Sequence, residues 1–299
     1  MTSERLSFDP RRFAALAHLQ LKARYLVEGL MSGLHQSPYR GFSVEFSEYR
    51  DYQPGDDLRH LDWRLYARND RLCIREFEEE TNVRVYLVLD GSGSMAYRGA
   101  QAWAAKWECA QVMASALGWM LLRQRDAVGA LLVAGGEVRH IPPSQKRSQL
   151  GTLLREFDAA KAAGDRGLAQ ALERASALFH RRSLVAIFTD FLDPAAELAA
   201  RVRELRFSGH DCFVFQILDA DEIDFPFSED AVFEDLETGA LRQVVPARAR
   251  RRYLERFAAF MEPHRRLLRD LEIPHEVIRT DADPGRALSR FIANRRRRP

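Results

Sequence analysis

Apolar segments that alternate with amphipathic segments constrain the fold of this chain more than any other feature. Residues 83–89, 127–133, 184–188 and 212–218 are nearly uninterrupted apolar runs of strand length. Between the first two, residues 101–124 place large apolar side chains at three- and four-residue steps, the spacing of an amphipathic helix. Such runs are typical of parallel strands that helices cover on both faces. The pattern predicts an α/β protein with a mostly parallel sheet flanked by helices.

The rest of the chain divides at about residue 82. Residues 10–34 carry leucines at helical spacing, and residues 35–81 are rich in aromatic side chains, acids and arginines. Alternation within 42–46 and 72–77 indicates a short β-rich segment, with a hairpin around a loop as one arrangement. We therefore expect an N-terminal helix plus β-rich extension over 1–81 and an α/β domain over 82–299. Further helices are predicted at 149–159, 168–179, 194–205, 248–271 and 284–294, and further strands at 137–141 and 275–278.

Composition argues against several functional classes. The net charge is +2, so no overall field favours nucleic acid. The three cysteines are widely spaced, which indicates neither a disulfide framework nor a zinc site. We see no signal segment and no apolar run that would span a bilayer, so we expect a cytoplasmic protein. The four arginines at 295–298 leave nucleic-acid binding as an alternative to a solvated end.

The segment Asp90-Gly91-Ser92-Gly93-Ser94-Met95 follows the first buried strand directly. A carboxylate and two hydroxyls on a short loop are oxygen ligands that suit Mg²⁺ or Mn²⁺. The alternative is a polar turn in which Ser92 or Ser94 caps the next helix.

Two other acids follow buried strands in the same way, Asp190 and Asp219. Because the carboxyl ends of parallel strands meet at one edge of a sheet, this edge is where function is expected. Three kinds of chemistry remain open there: a divalent cation shared with a partner's carboxylate, a nucleophilic serine with His210 or His275 as base, and phosphoryl transfer to Asp90. The spacing D-G-S-G-S departs from a G-x-S-x-G nucleophile elbow.

The D-x-S-x-S pattern at 90–94, followed by a long helix and a later Thr189-Asp190, resembles the metal-ion-dependent adhesion site of von Willebrand factor A domains. An upstream set of residues is similar to the signature of the bacterial "domain of unknown function 58" family, and we expect it to form a β-extension that shapes a partner surface. These residues are Ser32-Gly33-Leu34-His35-Gln36-Ser37, Gly41-Phe42-Ser43-Val44-Glu45-Phe46, Tyr49-Arg50-Asp51-Tyr52, Pro54-Gly55-Asp56-Asp57, Arg59, Asp62-Trp63 and Ala67-Arg68.

The resemblance implies a von Willebrand A-like domain that is an interaction module and not an enzyme. It also implies a MoxR-type AAA+ ATPase as partner, with client proteins whose maturation or assembly the pair assists. We keep a hydrolase that uses Ser92 or Ser94 as the alternative function.

The implied ligands of Mg²⁺ or Mn²⁺ are Ser92 and Ser94, with Asp90 and Asp190 binding directly or through water. The family's threonine ligand has no counterpart, because Arg166 occupies its position. Asp165 is the candidate replacement for that ligand. Arg166 either turns to solvent or pairs with Asp90 or Asp190 in place of the metal.

Overall fold

The computed structural model describes residues 9–35, 49–51, 66, 72–75, 83–164, 167–179 and 181–295. By its internal contacts the chain forms two compact units. One comprises Met1–Gly33 and Val83–Pro299, and the other comprises Leu34–Asn82.

In the smaller unit, two short strands pair antiparallel. Strand β1 (Tyr49–Asp51) lies beside β2 (Cys73–Arg75), with Arg50 opposite Ile74. The described part of this unit therefore contains β structure, including part of the predicted segment 72–77. The predicted alternation at 42–46 and the upstream residues Asp56, Asp57, Asp62 and Trp63 lie outside the described residues.

The larger unit is built on a six-stranded sheet in the order β10-β7-β6-β3-β4-β5. All neighbouring strands are parallel except β4 and β5, which the Gly135-Gly136 turn joins as an antiparallel pair. Both glycines have positive φ, +60° and +77°, as a tight two-residue hairpin turn requires. The strands are β3 (Arg84–Gly91), β4 (Ala127–Ala134), β5 (Glu137–Ser144), β6 (Leu184–Thr189), β7 (Asp211–Leu218) and β10 (His275–Arg279). The predicted α/β architecture with a mostly parallel sheet is confirmed.

Helices cover both faces of this sheet. On one face, Tyr86, Val88 and Val214 pack against α5, α6 and α8. On the other face, Leu87 lies under α3, and Phe291 of α9 stacks edge-on against Phe213 at 4.8 Å. The helices are α3 (Lys106–Arg123), α4 (Gln149–Ala159), α5 (Leu168–Leu178), α6 (Ala195–Phe207), α7 (Ala220–Asp224), α8 (Pro246–Asp270) and α9 (Gly285–Arg295). None of the described helices has both the length and the apolar character needed to cross a membrane.

The first predicted helix forms two helices, α1 (Pro10–Ala14) and α2 (Leu19–His35). Phe13 is fully buried and meets the Trp103 ring at 4.9 Å, and Lys22 pairs with Glu108 of α3. The apolar stripe of these helices is thus covered by the α/β unit. By contact they group with that unit, whereas the sequence division placed them with the β-rich extension.

The sequence pattern missed three elements between β7 and α8. Helix α7 is one turn long, and strands β8 (Ala231–Glu234) and β9 (Leu241–Val244) form an antiparallel hairpin. Each strand has only four residues and none of them is fully buried, so no long apolar run indicates a strand there. We call residues 231–244 the β8–β9 hairpin.

Candidate functional site

The predicted loop and the predicted second aspartate lie together at the carboxyl edge of the sheet. Strands β3 and β6 are neighbours, with Leu89 opposite Phe188, so Asp90 and Asp190 end adjacent strands. Both carboxylates are 1% exposed. Beyond β3 the chain forms a short 3₁₀ turn, Gly93–Ala96, to which Ser92 gives no capping hydrogen bond. The capping alternative for Ser92 is therefore wrong.

A chain of hydrogen bonds joins the four described candidate ligands. Thr189 Oγ1 donates to Asp90 Oδ2 at 2.7 Å, and the Ser92 amide donates to Asp90 Oδ1 at 3.1 Å. Ser94 Oγ donates to Asp190 Oδ2 at 2.8 Å and lies 3.2 Å from Ser92 Oγ. Asp90 is thus fixed behind the loop, while two hydroxyls and one carboxylate oxygen converge in front of it.

A buried lysine completes the site, and no sequence motif indicated it. Lys106, at the start of α3, is fully buried and donates to Asp190 Oδ2 at 2.8 Å and to Glu222 Oε1 at 2.5 Å. Burial opposes its charged form, but the two carboxylates outweigh burial and raise the pKa of Lys106. The side chain is therefore an ammonium ion and does not act as a base.

The site holds more negative charge than Lys106 neutralises. Burial, followed by the charges of Asp190 and Asp193, raises the pKa of Asp90 to about 7. Burial also raises the pKa of Asp193 and of Glu222 above their usual range. Carboxylates crowded in this way favour a proton or another cation among them.

Asp165 and Arg166 lie outside the described residues, so their predicted roles stay predictions. The residues just before them contact the loop directly. The Gly93 amide donates to the Gly164 carbonyl at 2.8 Å, and the Ala163 amide donates to the Gly91 carbonyl at 3.0 Å.

Asp219, the third strand-end acid, has a structural role. Its Oδ1 accepts from the Asp221 amide at 3.0 Å in the capping box of α7. Its Oδ2 accepts from Thr280 Oγ1 at 2.7 Å and from the Gly99 amide at 2.9 Å. These three bonds tie the Asp219 carboxylate to α7, Gly99 and Thr280, and none of them involves Ser92, Ser94 or Asp190.

The two histidines considered as bases lie far from the serines for different reasons. His210 precedes β7, and because β7 has eight residues, it lies about 25 Å from the carboxyl edge at roughly 3.3 Å per residue. His275 begins β10 beside Val214, in the middle of β7, but β10 is three strand spacings from β3, which is about 14 Å at roughly 4.8 Å per spacing. Neither histidine reaches Ser92 or Ser94, so this nucleophile arrangement is wrong.

A cleft of about 1050 Å³ opens beside Ser94, between the β8–β9 hairpin and the first half of α8. Its wall carries the aromatic side chains Phe225, Phe233 and Tyr253, and the arginine Arg252. Within the part of the chain that the structure describes, no group of three or more His, Cys, Asp and Glu side chains is arranged to hold a metal ion. A cation at this edge would therefore depend on the serine hydroxyls.

Solved structures with a similar fold share little sequence with this chain. BatB from Bacteroides thetaiotaomicron is 14% identical with a TM-score of 0.42, over 71% of this chain and 98% of that one. The SpRpn10 VWA domain is 10% identical with a TM-score of 0.41, over 69% of this chain and 93% of that one. The strand order of this chain, with one antiparallel edge strand and helices on both faces of the sheet, agrees with the von Willebrand A-like domain predicted from the sequence.

Sequence comparisons identify the family. The profile described as "Protein of unknown function DUF58" matches residues 48–266. The uncharacterized protein Rv1480 of Mycobacterium tuberculosis is 30% identical over 298 residues, covering 97% of this chain and 91% of that protein. YeaD of Bacillus subtilis, also uncharacterized, is 30% identical over 132 residues, covering 44% of this chain and 29% of that protein. The chain therefore belongs to the DUF58 family of proteins of unknown function and has a von Willebrand A-like fold.

Proposed function

We propose that this chain is a non-enzymatic interaction module that docks a protein partner at the carboxyl edge of its sheet, with help from Mg²⁺ or Mn²⁺. The observation that carries the proposal is that Ser94 Oγ lies 3.2 Å from Ser92 Oγ and 2.8 Å from Asp190 Oδ2. Adjacent ligands in a Mg²⁺ octahedron are about 3 Å apart, so this spacing suits direct ligands.

The hydrogen bonds favour the same reading. Ser94 gives its proton to Asp190 and therefore accepts from the Ser92 hydroxyl, so one lone pair of its oxygen remains for a cation. Asp90 accepts from Thr189 and from the Ser92 amide, an arrangement that positions the loop and supplies negative charge behind it. Ser92, Ser94 and Asp190 would hold the ion, and Asp90 would support them. A bound ion would attract a partner's carboxylate.

Lys106 sets the electrostatic balance for this ion. Its ammonium neutralises part of the charge of Asp190 and Glu222, which weakens the attraction for a second cation. Asp90 and Asp193 retain elevated pKa values because burial and neighbouring acids, Asp190 among them, leave their charge uncompensated. We therefore expect a weak, exchangeable cation site and not a permanent structural metal.

The hydrolase alternative is less well supported by these contacts. A serine nucleophile needs a base that accepts its proton. Ser94 donates to Asp190, which already accepts from the Lys106 ammonium, a pairing that makes the carboxylate a poor base. The contacts of the serines favour binding over turnover.

The resemblance suggests that the partner is a MoxR-type AAA+ ATPase and that client proteins join the complex. An ATPase partner acts where ATP is available, so the proposal includes a cytoplasmic setting. The strand-end site, the cleft beside Ser94 and the upstream extension are the surfaces we assign to these contacts.

Biolayer interferometry tests the proposal with a purified MoxR-type ATPase from the same source. We expect saturable binding to the wild type with Mg²⁺, and at least a ten-fold loss for Ser94→Ala. The matched control is Ser148→Ala, an exposed serine whose hydroxyl caps nothing. Equal binding by wild type and Ser94→Ala would contradict the assigned site. An esterase or phosphatase activity that Ser94→Ala abolishes would support the hydrolase instead.

A further inference from the structure

The turn of the β8–β9 hairpin lies directly on the candidate site. The Leu236 carbonyl oxygen is so near Gly93 that a Cβ at that glycine would lie 2.7 Å from it. The Glu237 Cγ atom would lie 3.2 Å from the same Cβ, so the Glu237 side chain rests against the loop, where the Ser94 amide and the charges of Asp190 and Asp193 act on its carboxylate. The chain thus places one of its own carboxylates beside the oxygens that form the candidate cation site.

The turn that presents Glu237 is shaped by its own residues. Asp235 Oδ1 accepts from the Glu237 amide at 2.9 Å and from the Thr238 amide at 3.1 Å. Gly239 has a φ of +70°, and its amide donates to the Asp235 carbonyl at 2.7 Å. Such local bonds define a turn without help from the rest of the protein. The hairpin can therefore keep its shape when its tip leaves the site.

The rest of the hairpin is anchored by one side chain of β8 and exposed elsewhere. Phe233 packs against Phe227 at 4.9 Å and against Phe225 at 5.9 Å. By contrast, Val232 is 63% exposed and Leu241 is 67% exposed. The exposed turn at 235–240 can therefore move while Phe233 holds the strands in place.

We propose that Glu237 is a built-in occupant of the strand-end site, and that a docking partner displaces it with a carboxylate of its own. This inference rests on the proposed function. The Ser94 amide is a donor that any incoming carboxylate can use, and Glu237 holds it in the unbound chain. Nearby Asp190 and Asp193 repel Glu237, so the internal contact is one that a partner can replace.

The partner that fits this surface is a protein segment with an exposed Asp or Glu at its tip. The acidic tip would take the place of Glu237 on the Ser94 amide. The residues beside the tip would enter the cleft, where Phe233 and Tyr253 offer apolar contacts and Arg252 and Arg256 offer positive charge. Acidic segments with neighbouring aromatic or aliphatic side chains match this mixture.

Hydrogen exchange in metal-free buffer tests the internal contact without any partner. We expect Glu237→Ala to speed exchange by about five-fold or more in peptides that cover 92–95 and 235–240, because the side chain that contacts the loop is removed and both sides of a local contact are released. The matched control is Glu234→Ala, which removes the same side chain and charge from an exposed position of the same hairpin. Equal exchange in the two variants would overturn the inference.

A labelled oligo-glutamate peptide in Mg²⁺ buffer tests the displacement. Glu237→Ala is expected to bind it about five-fold more tightly than Glu234→Ala, since both variants lose one charge and only one frees the Ser94 amide. Equal affinities in the two variants would contradict the displacement.

The results also separate this inference from the proposed function. Faster exchange in Glu237→Ala together with a wild type that binds no cation would support the internal contact and contradict the proposed cation binding. Cation binding together with unchanged exchange would contradict the internal contact alone.

Discussion

Removal of the Lys106 ammonium is the perturbation whose effect the structure defines best. Lys106 is fully buried, and its partners Asp190 and Glu222 have side chains that are 1% and 17% exposed. In Lys106→Met the side-chain volume is largely kept, but two carboxylates lose their only cationic partner among the described contacts. Breaking a buried pair in this way costs about 3–5 kcal/mol. We expect a loss of unfolding free energy in the lower part of that range, because the Glu222 side chain is partly exposed and water can solvate its charge.

The loss should depend on pH, and its sign follows from the carboxylates. Burial already raises the pKa of Glu222 in the presence of Lys106, so the pKa rises further when the ammonium is gone. A folded-state pKa above the unfolded value means that the folded protein binds protons more tightly. The penalty in Lys106→Met is therefore largest at neutral pH and shrinks as the pH falls towards about 5.

Urea unfolding at pH 8 and at pH 5 measures both effects. The control is Lys146→Met, which removes an exposed lysine and should change the free energy of unfolding by less than about 0.5 kcal/mol. The double variant with Glu222→Gln should recover part of the loss, since one buried charge is removed with its partner. A loss below about 1 kcal/mol, or one that is the same at both pH values, would refute this account of the cluster.

Three further outcomes are expected. Thr189→Val should lower the free energy of unfolding by about 1–3 kcal/mol in the same urea assay, because it leaves the buried Asp90 Oδ2 without its donor. Thr189→Ser keeps the hydroxyl and should retain most of the wild-type stability. Because the folded-state pKa of Asp90 is raised to about 7, the stability that protonated Asp90 contributes in acid is lost as the pH rises through 7. In EDTA, Asp90→Asn should therefore flatten the pH profile of the melting temperature between pH 5 and 8. An unchanged slope would contradict this assignment. Phe13→Ala should lower the free energy of unfolding by about 3–5 kcal/mol, because it leaves a cavity beside Trp103. The control Leu21→Ala, at an exposed position, should lower it by less than about 0.5 kcal/mol.

The sheet and its functional edge were predictable because their signals are periodic. The apolar runs that became β3, β4, β6 and β7 need burial on both faces, and that requirement fixes the helices around them. Parallel strands then bring Asp90 and Asp190 to one edge.

The members of the site that the sequence did not indicate reach it through tertiary packing. Lys106 is a single residue at the start of an amphipathic helix, and only the position of α3 against the sheet turns it towards Asp190. Glu222 and Glu237 lie in a segment without a long apolar run. There, α7 and the β8–β9 hairpin are too short to show a periodic apolar pattern in the sequence. Of the site residues that were not predicted, Asp193 could have been found by inspection, because it lies three residues after Asp190 at the end of the same strand.

Titration calorimetry with Mn²⁺ tests most directly the central claim that the strand-end edge is a cation-assisted docking site. The wild type and Ser148→Ala should give the same saturable heat, and Ser92→Ala and Ser94→Ala should give none. Arg166→Thr restores the family's ligand at that position and should bind at least as tightly as the wild type. Heat that appears only in Arg166→Thr, or heat that survives in both serine variants, would contradict the claim.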